Sequence, residues 1–290
     1  MDLSGTAALT DTLAFIGGGN MASALIGGLR ATGLPGARIL VIEPSAAQRE
    51  RLQADFGVRT QAAADARLAE AGLIVWAVKP QLFAAAAAPC AAHLAANPAG
   101  ALHLSVMAGI RSDAIGRAIG RTIGPTGASA RVVRSMPNTP ALIGRGIAGL
   151  YATPAVSAVE RERVEQVLAP TGQTLWVERE ADLDAVTALS GSGPAYVFYF
   201  LEAMVQAAQA MGLSAAQGRQ LALATFDGAT ALAAQSAEPL GVLRERVTSK
   251  GGTTYAALQA MEGAGLGAAF ISAMAAAQQR ARELGDEFGG

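Results

Sequence analysis

Short apolar runs alternate with helix-like segments through the first 180 residues of the chain. The runs occupy residues 12–17, 38–43, 72–78, 101–106 and 131–136. The segments between them place apolar residues at helical spacing, and two of them end at Gly33 and Gly57. Apolar runs separated by capped helices predict β-α-β units and a parallel sheet that is buried on both faces.

The pattern changes after about residue 180. Two further runs, at 146–152 and 173–178, bracket a helix that follows Pro154, and no later segment has the pattern of a strand. Helical segments are expected at residues 194–211, 214–235, 240–247, 254–262 and 266–284. The predicted fold class is α/β, with a Rossmann-type doubly wound parallel sheet over 11–180 followed by an all-helical domain over 181–290.

The segment 194–211 predicts an assembly, because it is apolar on nearly every face. Only Glu202 and two glutamines interrupt it, and this interruption favours the buried helix of a water-soluble protein over a membrane span. The all-helical domain over 181–290 is too small to surround such a helix with its own elements. We therefore expect a second copy of the chain to cover it, in a homodimer.

Composition limits the classes of partner and cofactor. The formal net charge of −1 gives no reason to expect nucleic acid or a membrane as a partner. One cysteine, Cys90, leaves no disulfide framework, and the first ten residues show no signal-peptide pattern, so a cytoplasmic location is expected. His93 is expected on a helix surface and His103 in the packing of a strand, so no metal centre is predicted.

The first apolar run leads into a glycine-rich turn, "FIGGGNMASA", that opens a helix. A Gly-x-Gly-x-x-Ala pattern in this context allows a tight turn, close approach of a diphosphate and close packing of the helix on the strand. The predicted cofactor-binding residues here are Gly17, Gly18, Gly19, Asn20, Met21 and Ala22. The alternative is an ordinary glycine-rich turn.

The end of the second run bears on the choice of cofactor. Glu43 stands where an acidic residue would accept hydrogen bonds from the adenine ribose, which favours NADH. Ser45 and Arg49 are placed to receive the 2′-phosphate of NADPH. We therefore expect NADP(H) as cofactor with NAD(H) also used, although Glu43 and Ser45 could instead cap the following helix.

The next three runs deliver loops to the same predicted edge of the sheet, where ligands bind in such folds. Cofactor contacts are expected at the first two of these loops, from Ala77, Val78, Lys79, Pro80 and Ala108. The fifth run ends in "MPNTP", whose Asn138 is expected to contact both cofactor and substrate. The alternatives are a solvated lysine and a proline-stiffened structural turn.

A second glycine-rich stretch, "VTSKGGTTYAAL" at 247–258, opens another predicted helix. Backbone N–H groups at a helix N-terminus bind anions. The sequence therefore predicts two anion sites in two domains, with simple helix capping by Thr253 as the alternative at the second.

Five segments together resemble the pyrroline-5-carboxylate reductase family over about residues 12–282. In chain order they are "FIGGGNMA", "AVKPQ", "SMPNTPA", "AVTALSGSGPAYVF" and "RERVTSKGGTTYAAL". The resemblance implies a Rossmann domain followed by a helical dimerisation domain, and dimers that assemble further, commonly into decamers. It also implies reduction of 1-pyrroline-5-carboxylate to L-proline by NAD(P)H, the last step of proline biosynthesis.

The resemblance also assigns roles within the second glycine-rich stretch. It places the substrate carboxylate on this loop and gives Thr254 the role of the catalytic partner of the imine nitrogen. The substrate-binding residues that it implies are Asn138, Ser249, Gly251, Gly252, Thr253 and Thr254. Lys250 departs from the family pattern, which usually has proline at this position.

Two other functions stay open at this point. A reductase of a related cyclic imine or a hydroxyacid would share the two-domain plan, although the hydroxyacid enzymes usually carry a catalytic lysine that the segment 194–211 lacks. An NAD(P)-binding regulatory protein would keep the fold and lose the Thr254 hydroxyl or the glycines, and both are present.

Overall fold

The computed structural model of the protein describes residues 11–97, 100–124 and 129–288. Within these residues eight strands form a single sheet. The strands are β1 (Thr12–Ile16), β2 (Ile39–Ile42), β3 (Arg59–Gln61), β4 (Ala71–Trp76), β5 (Leu102–Ser105), β6 (Val132–Met136), β7 (Gly146–Ala152) and β8 (Gly172–Trp176). The expectation about a signal peptide concerns residues 1–10, which lie outside this description.

The sheet has the order β3-β2-β1-β4-β5-β6-β7-β8, so the chain winds outward in both directions from β1 and β4. This confirms the doubly wound arrangement predicted from the sequence. Neighbouring strands are parallel with one exception, the antiparallel pair of β6 and β7, in which Val133 lies opposite Ala152. The connection 137–145 is too short for a parallel crossover, which usually needs a dozen or more residues.

Helices fill the segments predicted to be helical. They are α1 (Asn20–Ala31), α2 (Ala46–Phe56), α3 (Phe83–Ala95), α4 (Ser112–Ala118), α5 (Ala158–Leu168), α6 (Asp182–Val186), α7 (Gly193–Ala210), α8 (Ala215–Gln235), α9 (Leu240–Arg246), α10 (Thr253–Gly263) and α11 (Leu266–Phe288). A π-helical turn, Thr187–Gly191, joins α6 to α7. Neither α6 nor this turn was predicted.

The two faces of the sheet each carry a buried core, because successive strand residues point to opposite sides. Leu13, Phe15 and the buried face of α1 belong to one core. Ile16, Trp76 and α3 belong to the other. His103 is buried in β5, which confirms its predicted packing role, while His93 lies half-buried in the last turn of α3.

By compactness the described chain divides into a helical unit, Ser192–Ala276, and a sheet unit that contains the remaining residues. The last part of α11 therefore belongs to the sheet unit. The domain boundary that the sequence places after residue 180 remains a prediction. In the single chain, apolar side chains of the helical unit are exposed to solvent, with Phe198 62% and Tyr199 70% exposed.

None of the helices in the described ranges is long and apolar enough to cross a membrane by itself. The consecutive helices α10 and α11, which meet at a bend of 54°, reach that length and apolar composition only when they are taken together.

Candidate active site

A cleft of about 620 Å³ opens in the sheet unit, beside the ends of β1, β2 and β4. It brings together eight of the predicted cofactor residues, which come from three separate loops. These are Gly17, Gly18, Gly19, Glu43, Ser45, Ala77, Val78 and Lys79. The switch point of the sheet order lies between β1 and β4, where ligands bind in doubly wound folds.

The glycine turn has the backbone geometry that a diphosphate requires. Gly17 has a φ of +98°, and a Cβ at this position would lie 2.7 Å from the carbonyl oxygen of Ala77. A Cβ on Gly19 would meet nothing within 4 Å, so the loop is open on that side. Gly19 is also the N-cap of α1 and makes no side-chain cap, which leaves first-turn N–H groups available to an anion.

Three other predicted residues lie in the first turn of α1 rather than along the wall of the cleft. Asn20 is exposed, Met21 packs against the core, and Ala22 is fully buried on the face of the helix that packs on the core. The position of Ala22 agrees with its expected role, which is to let the helix pack closely on the sheet. At the first turn of α1 their backbone N–H groups are placed to meet an anion.

Glu43 lines the cleft and also bridges two loops. Its Oε2 accepts a hydrogen bond from Gly18 N at 2.9 Å, and its Oε1 accepts one from Ser45 N at 2.9 Å. Ser45 caps α2 through a hydrogen bond from Gln48 N, as the capping alternative predicts. Arg49 donates from Nη1 to the carbonyl oxygens of Glu43 and Pro44.

The far wall of the cleft was not predicted. It consists mainly of small apolar side chains, and these form a slot suited to an aromatic base. The additional lining residues are Pro44, Ala62, Ala63, Ala64, Leu82, Ala85, Ala86, Pro89 and Cys90, with Ile16 and Ile42 at the strand ends. Scattered alanines carry no motif, so only the folded chain shows that they share one wall.

Cys90 has the inert character that the sequence predicts. Its Sγ donates a hydrogen bond to the carbonyl oxygen of Ala86, 3.2 Å away. Burial raises the pKa of the Cys90 thiol to about 11, so the thiol stays protonated at neutral pH. Cys90 therefore contributes packing and not reactivity to the wall of the cleft.

The remaining predicted cofactor residues lie outside the cleft lining. Pro80 begins a 3-10 turn, Pro80–Leu82, and Ala108 is half-buried after β5. Asn138 connects two neighbouring segments: its Nδ2 donates to Ser190 Oγ at 3.1 Å, and its Oδ1 accepts from Ile147 N at 3.1 Å. Asn138 thus ties the end of β6 to the π-helical turn, a contact that sequence reasoning missed.

The second glycine-rich loop lies in the helical unit. Gly251 has a φ of +75°, and Gly252 N donates to the carbonyl oxygen of Ser249 at 3.0 Å. Gly252 is the N-cap of α10 and makes no side-chain cap, so the predicted capping by Thr253 is wrong. Thr253 starts the helix itself, and a hydroxyl inside the first turn is not at the position that caps it.

The uncapped start of α10 leaves its first N–H groups without intrahelical partners. Thr253 and Thr254 are both exposed there, and so is Lys250 just before the glycines. No group of three or more His, Cys, Asp and Glu side chains in the described part of the chain is placed to hold a metal ion. The local chemistry is therefore that of backbone N–H groups, hydroxyls and one ammonium.

Family models match both parts of the chain. A model described as pyrroline-5-carboxylate reductase dimerisation matches residues 180–284. A model described as NADP oxidoreductase, coenzyme F420-dependent, matches residues 12–109. The helical part of the chain is thus a dimerisation domain, as expected.

Similarity to individual proteins extends over nearly the whole chain. A pyrroline-5-carboxylate reductase of Pseudomonas aeruginosa is 41% identical over 280 residues, which cover 97% of this chain and 99% of that protein. The solved structure of a pyrroline-5-carboxylate reductase from Coxiella burnetii has a TM-score of 0.85 at 34% identity, covering 95% of this chain and 98% of the other.

A second solved structure contains a ligand. It is the Plasmodium falciparum pyrroline carboxylate reductase with NADP bound, which has a TM-score of 0.80 at 25% identity and covers 95% of this chain and 98% of that one. On the identity and coverage of these relatives, the chain belongs to the pyrroline-5-carboxylate reductase family.

Proposed function

We propose that the protein reduces 1-pyrroline-5-carboxylate to L-proline with a hydride from NADPH, the last step of proline biosynthesis, and that NADH also serves. The observation that carries this proposal is the uncapped start of α10 at Gly251–Thr254, in a chain that also has a dinucleotide cleft. One site suits the diphosphate of a cofactor and the other suits a small carboxylate.

The cleft residues support the cofactor part of the proposal. The glycine turn would hold the diphosphate, Glu43 and Ser45 would face the adenine ribose, and Lys79 would face cofactor oxygens. The bound nicotinamide supplies the hydride. Roles for Pro80, Ala108 and Asn138 in cofactor binding belong to the same proposal and rest on their places at the strand ends.

The loop before α10 supports the substrate part. The loop of Gly251 and Gly252 would present the first-turn N–H groups of α10, from Thr253 onward, to the substrate carboxylate, with the Ser249 hydroxyl beside them. Gly251 has a φ of +75°, in the left-handed region that favours glycine, and this holds the turn before α10 in its shape. The exposed Lys250 adds a positive charge next to an anionic substrate.

Thr254 is the proposed catalytic partner of the imine nitrogen. A protonated imine already accepts hydride readily, so the protein needs only to orient the ring and keep its nitrogen hydrogen-bonded. A threonine hydroxyl is a weak acid and suits orientation better than proton supply. When hydride adds to the imine carbon, the C=N double bond becomes a single bond and the nitrogen keeps its proton as the amine of proline.

The proposed active form is a homodimer that assembles through the helical units, with decamers as a further level of assembly. Exposed apolar side chains on α7, such as Phe198 and Tyr199, support the dimer because a single chain leaves them in water. We also propose a cytoplasmic location, since Cys90 is a free thiol that suits a reducing compartment.

Steady-state kinetics with a small panel of substrates tests the proposal. Oxidation of NADPH should depend on 1-pyrroline-5-carboxylate, and the rate should fall steeply when a six-membered cyclic imine carboxylate or a hydroxyacid replaces it. Equal turnover of another panel member would move the assignment to that substrate. Tight NADPH binding without turnover of any of them would favour a regulatory protein.

A further inference from the structure

The peptide unit between Gly18 and Gly19 accepts a hydrogen bond from a side chain that does not line the cleft. Nε2 of Gln48 donates a hydrogen bond to the carbonyl oxygen of Gly18 at 2.5 Å. Gln48 lies in the first turn of α2 and is half-buried, and it is not among the residues that line the cleft. Its amide therefore contacts the glycine turn from outside the cleft.

This contact fixes more than one atom, because a peptide unit is planar and trans. In a trans peptide the carbonyl oxygen and the following N–H point in opposite directions. When Gln48 holds the Gly18 oxygen toward α2, the N–H of Gly19 must point away from α2. Gly19 lines the cleft and Gln48 does not, so the hydrogen bond sets the direction of a donor in the glycine turn.

The space around the two glycines differs: Gly18 is packed closely against α2, and Gly19 is open. A Cβ on Gly18 would lie 2.7 Å from Leu52 Cδ1, whereas a Cβ on Gly19 would meet nothing within 4 Å. The N–H of Gly18 is already used, since it donates to Glu43 Oε2. Gly19 is thus the point of the turn where a ligand has both space and a directed donor.

We propose that Gln48 is a positioning residue for the cofactor diphosphate, acting through the Gly18 carbonyl oxygen to orient the N–H of Gly19. The inference rests on the proposed cofactor site. The expected effect of Gln48 differs from that of Glu43. Gln48 is neutral and acts on the turn proposed to hold the diphosphate, which NADH and NADPH share. Loss of the Gln48 amide should therefore weaken both cofactors by the same factor.

Binding measurements on the full-length protein without substrate test this inference. Gln48→Met and Gln48→Ala both remove this donor and leave the longer contact of Ser23 Oγ, 3.4 Å from the Gly18 oxygen. Loss of one neutral hydrogen bond corresponds to an increase in Kd of about three- to tenfold. We expect this increase for NADPH, NADH and ADP-ribose, which all carry the diphosphate. Binding of adenosine 2′-monophosphate, which lacks the diphosphate, should stay within twofold of the unmodified protein.

Gln53→Met is the matched control. Gln53 lies on the same helix, and its Nε2 donates a side-chain hydrogen bond to Thr60 Oγ1 on β3 rather than to the glycine turn. The control should leave the Kd of all four ligands unchanged, and thermal unfolding should confirm that each variant is folded.

Two results would overturn the inference. One is unchanged NADPH binding in both Gln48 variants, and the other is equal weakening of adenosine 2′-monophosphate, which would indicate a general disturbance of α2. Because no substrate is present, a protein that reduced a different imine would give the same binding results. Failure of the proposed reaction and failure of this inference are therefore distinguishable.

Discussion

The indole Nε1 of Trp76 donates a hydrogen bond to Nδ1 of His103, 3.1 Å away, between the neighbouring strands β4 and β5. Both side chains are buried, and Nδ1 must be unprotonated to accept the bond. Burial lowers the pKa of His103 to about 3, with the charges of Arg121 and Arg131 acting in the same direction. The folded protein therefore holds a neutral imidazole far below the pH at which histidine normally charges.

This burial predicts a loss of stability in mild acid. In the unfolded chain His103 takes up a proton near its ordinary pKa of 6.5, while the folded chain does so only near 3. The unfolded state binds more protons in this window, so the free energy of unfolding falls as the pH falls from about 6.5 toward 3. Between pH 6.5 and pH 5 this one group should contribute a loss of about 2 kcal/mol.

Urea unfolding at a series of pH values measures this effect. His103→Gln keeps an acceptor for Trp76 and cannot be protonated. Its free energy of unfolding should therefore depend less on pH between 6.5 and 5. His93→Gln makes the same substitution at the half-buried histidine of α3 and serves as the matched variant. Parallel curves for His103→Gln and the unmodified protein would contradict the assignment.

Features of the fold that depend on a local sequence pattern could be predicted, whereas those that depend on distant segments could not. The apolar runs predict seven of the eight strands, because each buried strand has its own local pattern. Strand β3, with the sequence Arg-Thr-Gln, was missed because it is short, half-buried and polar at the edge of the sheet. The antiparallel pairing of β6 with β7 depends on connection length and was not read from the pattern.

The same distinction holds in the candidate site. The glycine turn and the loops at the strand ends have recognisable patterns, so Gly17, Glu43 and Lys79 were found. Gln48 and the alanine wall have none, since their roles arise only when α2, α3 and β1 are brought together. Asn138 was found as a loop residue, but its bond to Ser190 depends on a π-helical turn that sequence patterns do not reveal.

Thr254→Val should lower turnover and leave NADPH affinity nearly unchanged. The hydroxyl is exposed in the first turn of α10, where the proposal has it bond to the imine nitrogen. Loss of that bond should cost up to about 10²-fold in kcat, because the protonated imine is itself electrophilic. Thr248→Val, which removes a hydroxyl bonded to the carbonyl oxygen of Arg244, is the control.

Thr254→Ser should retain most of the turnover, since it keeps the hydroxyl. Rates within twofold of the unmodified protein for Thr254→Val would remove Thr254 from the chemistry.

Glu43→Ser should shift cofactor preference toward NADPH. The carboxylate lines the cleft and repels a 2′-phosphate, so its removal should raise the ratio of kcat/KM for NADPH over NADH by about three- to tenfold. Both cofactors should also bind somewhat more weakly, because the variant releases the N–H groups of Gly18 and Ser45. An unchanged ratio would mean that Glu43 supports the loop and does not face the ribose.

Glu50→Ser is the matched control for this variant. Glu50 is an exposed acid on α2 outside the cleft, so its removal changes the net charge by the same amount. The ratio of the two kcat/KM values should not move.

The assembly prediction concerns α7. Phe198→Asp places a charge on an apolar surface that the proposed dimer buries, so light scattering should show dissociation together with loss of activity. Val159→Asp is the control, because Val159 is 72% exposed on α5 in the sheet unit. A monodisperse, fully active monomer of the unmodified protein would contradict the dimer.

The most direct test of the proposed reaction follows the hydride itself. NADPH deuterated at both C4 positions is incubated with the protein and 1-pyrroline-5-carboxylate, and the product is analysed by mass spectrometry and NMR. We expect L-proline that carries one deuterium, at the former imine carbon. Proline without deuterium, or oxidation of NADPH at the same rate in the absence of the imine, would contradict it.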